Sequence, residues 1–166
     1  IWASSRFTMD LRSLQQLVVR ETDTENAGQY RTGNVMITGS SHSPPEAHEL
    51  PHLMREFVNW MKSSTKKYHP VELAALSHHR LAHIHPFVDE NGRTARLLMN
   101  LLLMQQGYPL VTILKNDRKK YYDVLDKADR GNQAPLVQFI AQAVERSLNL
   151  YLKVLLPEKS SGRSAA

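Results

Sequence analysis

The chain contains no cysteine. Disulfides and thiolate metal sites are therefore excluded, and the redox compartment leaves no mark on the composition. Aromatic residues are sparse, and the stripe of interleaved aromatic and basic side chains that single-strand nucleic-acid binders use is missing. No apolar run reaches the ~20 residues of a membrane span. No signal-peptide pattern opens the sequence either. On these grounds the expected setting is cytoplasmic, with no membrane partner. The net charge of +5 is spread along the chain, so a solvated basic surface plus a few anion-binding arginines accounts for it, and nucleic acid is not an expected partner. There is no internal repeat. With 166 residues, one domain with a single substantial core is expected.

What is present reads as helix. Leu11 to Val19 predicts a short helix that ends before the polar turn Glu21-Thr22-Asp23-Thr24. Leu50, Leu53, Met54, Phe57, Val58 and Met61 follow i, i+3, i+4, i+7 spacing, with Pro51 in the first turn. Val71 to Ile84 predicts a third helix, rich in Ala and Leu. Leu97 to Met104 is apolar nearly all round, which predicts a central helix with Met99, Leu102 and Met104 in the core and Gly107 just past its end. Lys119 to Asp129 and Leu136 to Leu155 complete the helical set, and in the latter Leu136, Ile140, Ala143, Val144, Leu148 and Tyr151 make one apolar stripe. Only Thr32 to His42, with Gly33, Gly39, Val35, Ile37 and Thr38, fits a β-hairpin; Pro44-Pro45 stops it. The expected fold class is all-α with one small hairpin.

The chemistry concentrates in His85-Pro86-Phe87-Val88-Asp89-Glu90-Asn91-Gly92-Arg93-Thr94-Ala95-Arg96. This polar loop feeds the first turn of a core helix, where unpaired N–H groups and the macrodipole favour an anion. Gly92 lets a ligand approach the backbone closely. Arg93 and Arg96, at i and i+3, share a helix face, and two forked guanidiniums suit a multiply charged phosphate chain. Asp89 is placed to hold Mg²⁺, which commonly takes one or two carboxylates plus phosphate oxygens. His85 is the one nearby side chain that exchanges a proton near neutral pH. Together these groups read as phosphoryl or nucleotidyl transfer to an acceptor that His85 deprotonates.

The same stretch resembles the signature of the Fic family, HPFx(D/E)GNGRxxR, at every position but one. The resemblance extends further: Tyr30 to Val35 through His42-Ser43-Pro44-Pro45 is similar to the family's β-hairpin flap. Gly107-Tyr108-Pro109 and Arg118-Lys119-Lys120-Tyr121-Tyr122 are similar to downstream elements of its nucleotide pocket. Similarity covers roughly Leu14 to Leu156. The expected domain is 1–156, with 157–166 a disordered tail or vector-derived remnant.

This resemblance implies a protein adenylyltransferase that moves AMP from ATP to a Ser, Thr or Tyr hydroxyl of a protein and releases pyrophosphate. His85 would be the general base and Asp89 the Mg²⁺ ligand. Glu90, Asn91, Gly92, Arg93 and Arg96 would surround the phosphates, and Phe87 would pack beneath the loop. Tyr121, Tyr122 and Asp129 would line the adenine pocket, with one of the two tyrosines facing the nucleotide. Asp129 stands where close relatives carry Asn. Val35, Met36, Ile37 and Thr38 would dock an extended target segment by backbone pairing. Self-modification and a homodimer stay open: Leu14, Leu17 and Val18 lie near a dimer surface of some relatives, but a helix packed on its own domain gives the same pattern.

The departure is Glu90, where the family pattern has Gly. A side chain there limits φ > 0 conformations and sets a carboxylate beside a polyanion. An outward-pointing side chain is one reading. Weakened ATP binding, another donor (UMP, phosphate or phosphocholine) or an impaired loop kept as a binding module are the others. The family's inhibitory pattern, (S/T)xxxE(G/N), has no match: four residues before Glu25-Asn26 stands Glu21. Because the chain opens at Ile1 rather than Met, the expectation is a regulatory segment upstream, a less inhibited fragment and poor removal of AMP. Finally, His79 and His83 have i, i+4 spacing, but no neighbouring residue completes a ligand set. A structural role is expected for His78, His79 and His83.

Overall fold

The computed structural model describes residues 6–40 and 42–156, with side chains from Leu11 onward. Six α-helices follow one another: α1 (Arg6–Val19), α2 (Leu50–Ser64), α3 (Pro70–Ile84), α4 (Asn91–Gln105), α5 (Arg118–Asp129) and α6 (Ala134–Leu155). Their starts follow from local chemistry. Proline stands in the first turn of α2, α3 and α6, where its missing N–H costs nothing. His69 caps α3 by accepting the Val71 N–H. Gly107, at φ +80, ends α4, with its N–H on Met104 O and that of Tyr108 on Leu103 O.

The helices α3 and α4 form the central pair, and a core lies on each side of them. On one side, Leu11, Leu50, Met54, Phe57, Met61, Leu81, Ala95 and Leu98 join α1 and α2 to the pair. On the other, Val71, Ala74, Met99, Leu103, Tyr121, Leu136, Phe139 and Ile140 join it to α5 and α6. Leu102 is partly buried and touches both cores. This arrangement fixes the α3–α4 connection, residues 85–90, at one end of a rigid pair.

Three expectations need correction. Met104 is exposed, because α4 turns that side to solvent; Leu97 on the same helix is 36% exposed. In α6 the apolar stripe is buried only as far as Val144, and Leu148 and Tyr151 lie beyond the core. The hairpin is the third: no strand forms among the described residues. A turn at Thr38-Gly39 does form, with Gly39 at φ +79 and the Ser40 N–H on Ile37 O at 3.1 Å. Side-chain anchors hold its two arms instead, one to the turn that leads into α2 and one to the end of α3. Asn34 Oδ1 accepts the Ala47 N–H at 2.9 Å, and His42 Nε2 reaches His83 O at 2.8 Å. The expected tail, 157–166, lies outside the described residues.

Candidate functional site

The site begins where α3 ends. His85 adopts the left-handed conformation, φ 51° and ψ 56°, and its N–H closes the helix on Leu81 O at 3.0 Å. This conformation is uncommon for a residue with a Cβ and turns the chain sharply out of the helix. The ring is fixed as well: His85 Nδ1 lies 3.2 Å from Ala82 O. A carbonyl can only accept, so Nδ1 carries the proton and Nε2 keeps the lone pair. Burial pushes the imidazole below its ordinary pKa, helped by Arg31 and His42, while the Ala82 bond and Asp89 oppose the shift. The ring is therefore held neutral, with one basic nitrogen.

The loop that follows is pinned from inside. Asn91, the first residue of α4, is 1% exposed; its Oδ1 accepts the Phe87 N–H and its Nδ2 donates to Phe87 O, both at 2.9 Å. Phe87 itself is fully buried, with its ring 5.8 Å from that of Tyr30. Its burial contributes roughly 1.5–3 kcal/mol toward holding the loop down. Asn91 is thus used up as a staple of the loop, and the α4 N-terminus is left to face whatever occupies the site.

Arg31 completes the frame, and nothing in the sequence marked it as more than one residue of the flap. It is 3% exposed. Its Nε donates to His85 O at 2.8 Å, its Nη1 to Gly33 O at 2.9 Å and its Nη2 to Pro45 O, while its own N–H donates to Pro86 O at 2.9 Å. One guanidinium therefore ties both arms of the flap to the residue that carries the base.

Glu90 is the second left-handed residue, at φ 62° and ψ 20°. Its N–H donates to Asp89 Oδ1 at 2.7 Å, and its carbonyl accepts the Thr94 N–H and hydroxyl, both at 2.9 Å. The side chain does not point outward. It is 16% exposed and pairs with Arg93, Oε2 to Nε at 2.7 Å. Arg93 is 61% exposed and reaches back to the residue three before it, whereas Arg96 lines the cavity described below. Asp89 keeps its second oxygen at the exposed tip of the loop. One carboxylate beside a helix N-terminus fits Mg²⁺ shared with phosphate oxygens.

A cavity of about 570 Å³ opens beside this frame. Its walls include His85, Gly92, Arg96, Tyr121, Tyr122 and Asp129, together with Ile37 and Thr38 of the flap. Asp89, Glu90, Asn91 and Arg93 are not among the walls, nor are Val35 and Met36; Met36 is 94% exposed. Burial raises the Tyr121 phenol above its ordinary pKa, although the Arg96 guanidinium opposes the shift. Of the two tyrosines, Tyr121 is 5% exposed and belongs to the core, its OH 2.9 Å from His78 Nε2. Tyr122 is half exposed, beside the Arg118 guanidinium. Asp129 accepts from His79 Nε2 at 2.9 Å and from His83 Nδ1 at 2.8 Å, both on Oδ1. Burial raises its carboxyl, but the two histidines outweigh burial and hold it below the usual carboxylate range.

Residues 8–103 match the Fic/DOC family. The protein adenylyltransferases Fic of Drosophila virilis and Aedes aegypti are each 46% identical to this chain over 144 residues, 86% of it. The chain spans only 29% and 28% of those proteins' lengths. Among solved structures, a Fic domain containing signalling protein from Bacteroides thetaiotaomicron superposes with a TM-score of 0.80 at 32% identity, over 88% of this chain and 62% of that one. Fic-1 of C. elegans (residues 134–508) gives 0.80 at 34%, over 89% and 43%.

Proposed function

The chain belongs to the Fic/DOC family, and from that premise we propose that it transfers AMP from ATP to a hydroxyl side chain of a protein. The observation that carries the proposal is the single basic nitrogen of His85, held by the Ala82 bond on the wall of a cavity that also exposes Gly92 and Arg96. In the reaction the target hydroxyl gives its proton to His85 Nε2, and its oxygen bonds to the α-phosphorus. The bond from that phosphorus to the α,β-bridging oxygen breaks, and pyrophosphate leaves. A positioned general base contributes about 10²–10⁴-fold to such a step.

The remaining residues bind and orient. The α4 N-terminus at Gly92 and the Arg96 guanidinium hold the phosphate oxygens, and Arg93 joins them once Glu90 releases it. Tyr122 and Asp129 flank the base, with Tyr121 supporting them from the core. Asp89 would hold Mg²⁺, which supplies charge neutralisation for the triphosphate and the leaving pyrophosphate. Thr38 and Ile37 form the cavity edge of the flap, and residues 35–38 would pair with an extended target segment, ordering as a hairpin arm when they do. Leu14 packs partly buried against the chain's own core, whereas Leu17 is 65% exposed, so a contact between two copies would rest on Leu17.

One observation favours a second reading. Asp129, doubly hydrogen-bonded and ionised, presents acceptors only, unlike an amide. An ionised carboxylate repels the ring acceptor that adenine carries beside its amino group, whereas it accepts the N3–H of uracil and attracts the positive charge of a choline head group, so UMP or phosphocholine donors enter on that ground. The test offers α-labelled ATP and UTP, γ-labelled ATP and labelled CDP-choline to the chain with lysate proteins. Label from α-ATP alone supports AMP transfer. Label from another donor, with none from α-ATP, replaces it with the second reading.

A further inference from the structure

The fold brings to His79 and His83 the residues that their sequence neighbourhood lacked. Asp129 arrives from α5 and His42 from the flap. Ligand atoms of His42, His83 and Asp129 all lie within 4.8 Å of one another. The rings of His42 and His83 stack with centroids 3.9 Å apart. We propose that His42, His83 and Asp129 form a binding site for a divalent transition cation of the zinc class, separate from Asp89.

The donor chemistry supports this. His42 Nε2 faces the carbonyl of His83 and so carries the proton, which leaves Nδ1 with a free lone pair. His83 Nδ1 and Asp129 Oδ1, now 2.8 Å apart, share a proton that a cation would displace. A tetrahedral ion with bonds near 2.0–2.1 Å needs ligand atoms about 3.3 Å apart. The His83–Asp129 pair must therefore open by roughly half an ångström, and the His42 ring must turn out of its stack on His83 and close from a separation of up to 4.8 Å. Two imidazoles and one carboxylate suit zinc-class ions rather than Mg²⁺ or Ca²⁺, which prefer all-oxygen sets. His79 Nε2 donates to the same carboxylate oxygen at 2.9 Å, so it would orient the ligand from behind.

The site has one consequence for the molecule. His42 belongs to the flap, His83 to α3 and Asp129 to α5, and all three line the cavity. A bound cation would fasten the flap across the base end of that cavity and leave a fourth position for water or a ligand. The proposal does not depend on which group the enzyme transfers.

The test uses the full chain, stripped with chelator and free of nucleotide. Zn²⁺ is titrated by calorimetry at neutral pH in excess Mg²⁺, and Co²⁺ is added separately to read its visible d–d bands. Expected are one Zn²⁺ per chain, a tetrahedral Co²⁺ spectrum, and loss of both in His42→Ala and in Asp129→Asn. His79→Ala should weaken binding on the order of 10–100-fold. His42 lies outside both helical cores, so His42→Ala remains decisive even where Asp129→Asn does not fold. Binding that persists unchanged in His42→Ala, as at the exposed pairs His48–Glu46 and His52–Glu56, overturns the proposal. So does the absence of stoichiometric Zn²⁺ binding. Failure of nucleotide transfer leaves these readouts intact.

Discussion

At the scale of single residues, Glu90 is the feature that sets this chain apart from its family's signature. The left-handed backbone that glycine would adopt freely is kept, at a strain of about 1–2 kcal/mol for a residue with a Cβ. The carboxylate then occupies Arg93, a group otherwise free to meet phosphate. Glu90→Gly should therefore tighten ATP binding several-fold and leave stability nearly unchanged, since strain relief and glycine's chain entropy oppose each other. Calorimetry on the two proteins checks this; unchanged or weaker affinity would show that the ion pair does not compete with phosphate. His85 gives a second prediction. Burial depresses its pKa below 6.5, so the neutral base predominates at and above that pH. The rate should rise with pH through a limb centred below 6.5 and then stay flat; a limb centred above 6.5 would mean that the ring is solvated in the working enzyme.

At the scale of elements, the loop between α3 and α4 was the most legible part of the sequence, because its chemistry is contiguous. His85, Gly92 and Arg96 sit close in sequence and line one cavity, while Asp89 stands at the exposed tip of the loop between them. What the sequence did not reveal was which of these side chains are consumed internally. Asn91 staples Phe87, and Glu90 holds Arg93; both depend on side-chain directions that a motif does not encode. The flap was misjudged for a related reason. Its β-branched residues and glycines signal a hairpin, but the tertiary anchors at Arg31, Asn34 and His42 hold its arms to the helices instead. A lone arginine carries no periodicity, so Arg31 left no signal to find. Its removal strands the carbonyls of His85, Gly33 and Pro45, at roughly 1–3 kcal/mol for each one that water does not reach. Arg31→Ala should lower kcat on the order of 10²-fold through misplacement of His85, with little change in ATP affinity. Arg31→Lys should not rescue it, because an ammonium lacks the fork. Equal losses in kcat and in ATP affinity would point to general unfolding of the site.

At the scale of the whole molecule, helix existence was legible from apolar spacing, and all six helices appear where that spacing put them. Less legible was how deep each stripe is buried. Met104 and the far end of α6 read as core and are exposed, because periodicity reports a face but not what covers it. The other long-range lesson is His78, which is fully buried on α3 against Tyr121. Burial first, then the charges of Arg96 and His79, push its pKa down to about 3. Unfolded, the same ring titrates near 6.5, so between these values the unfolded chain binds the extra proton. Stability should therefore fall with acidification across pH 6.5 to 3, with His78 contributing about 1.4 kcal/mol per pH unit. Denaturant melts of the chain and of His78→Asn, taken between pH 7 and 4, check the sign. An equal slope in both would assign the acid sensitivity elsewhere.

No helix among the described residues is long and apolar enough to cross a membrane. The domain is built as two cores around α3 and α4, and the proposed chemistry depends on the residues that this pair holds at its shared end, His85, Gly92 and Arg96. The measurement that tests it most directly follows transfer of label from α-labelled ATP with Mg²⁺ to protein, comparing the chain, His85→Ala and Glu90→Gly, with mass spectrometry locating the modified hydroxyl. The expected product is an AMP ester on Ser, Thr or Tyr, reduced at least ~10²-fold in His85→Ala and increased in Glu90→Gly. Label that persists in His85→Ala, or none from any of the three proteins, would contradict it.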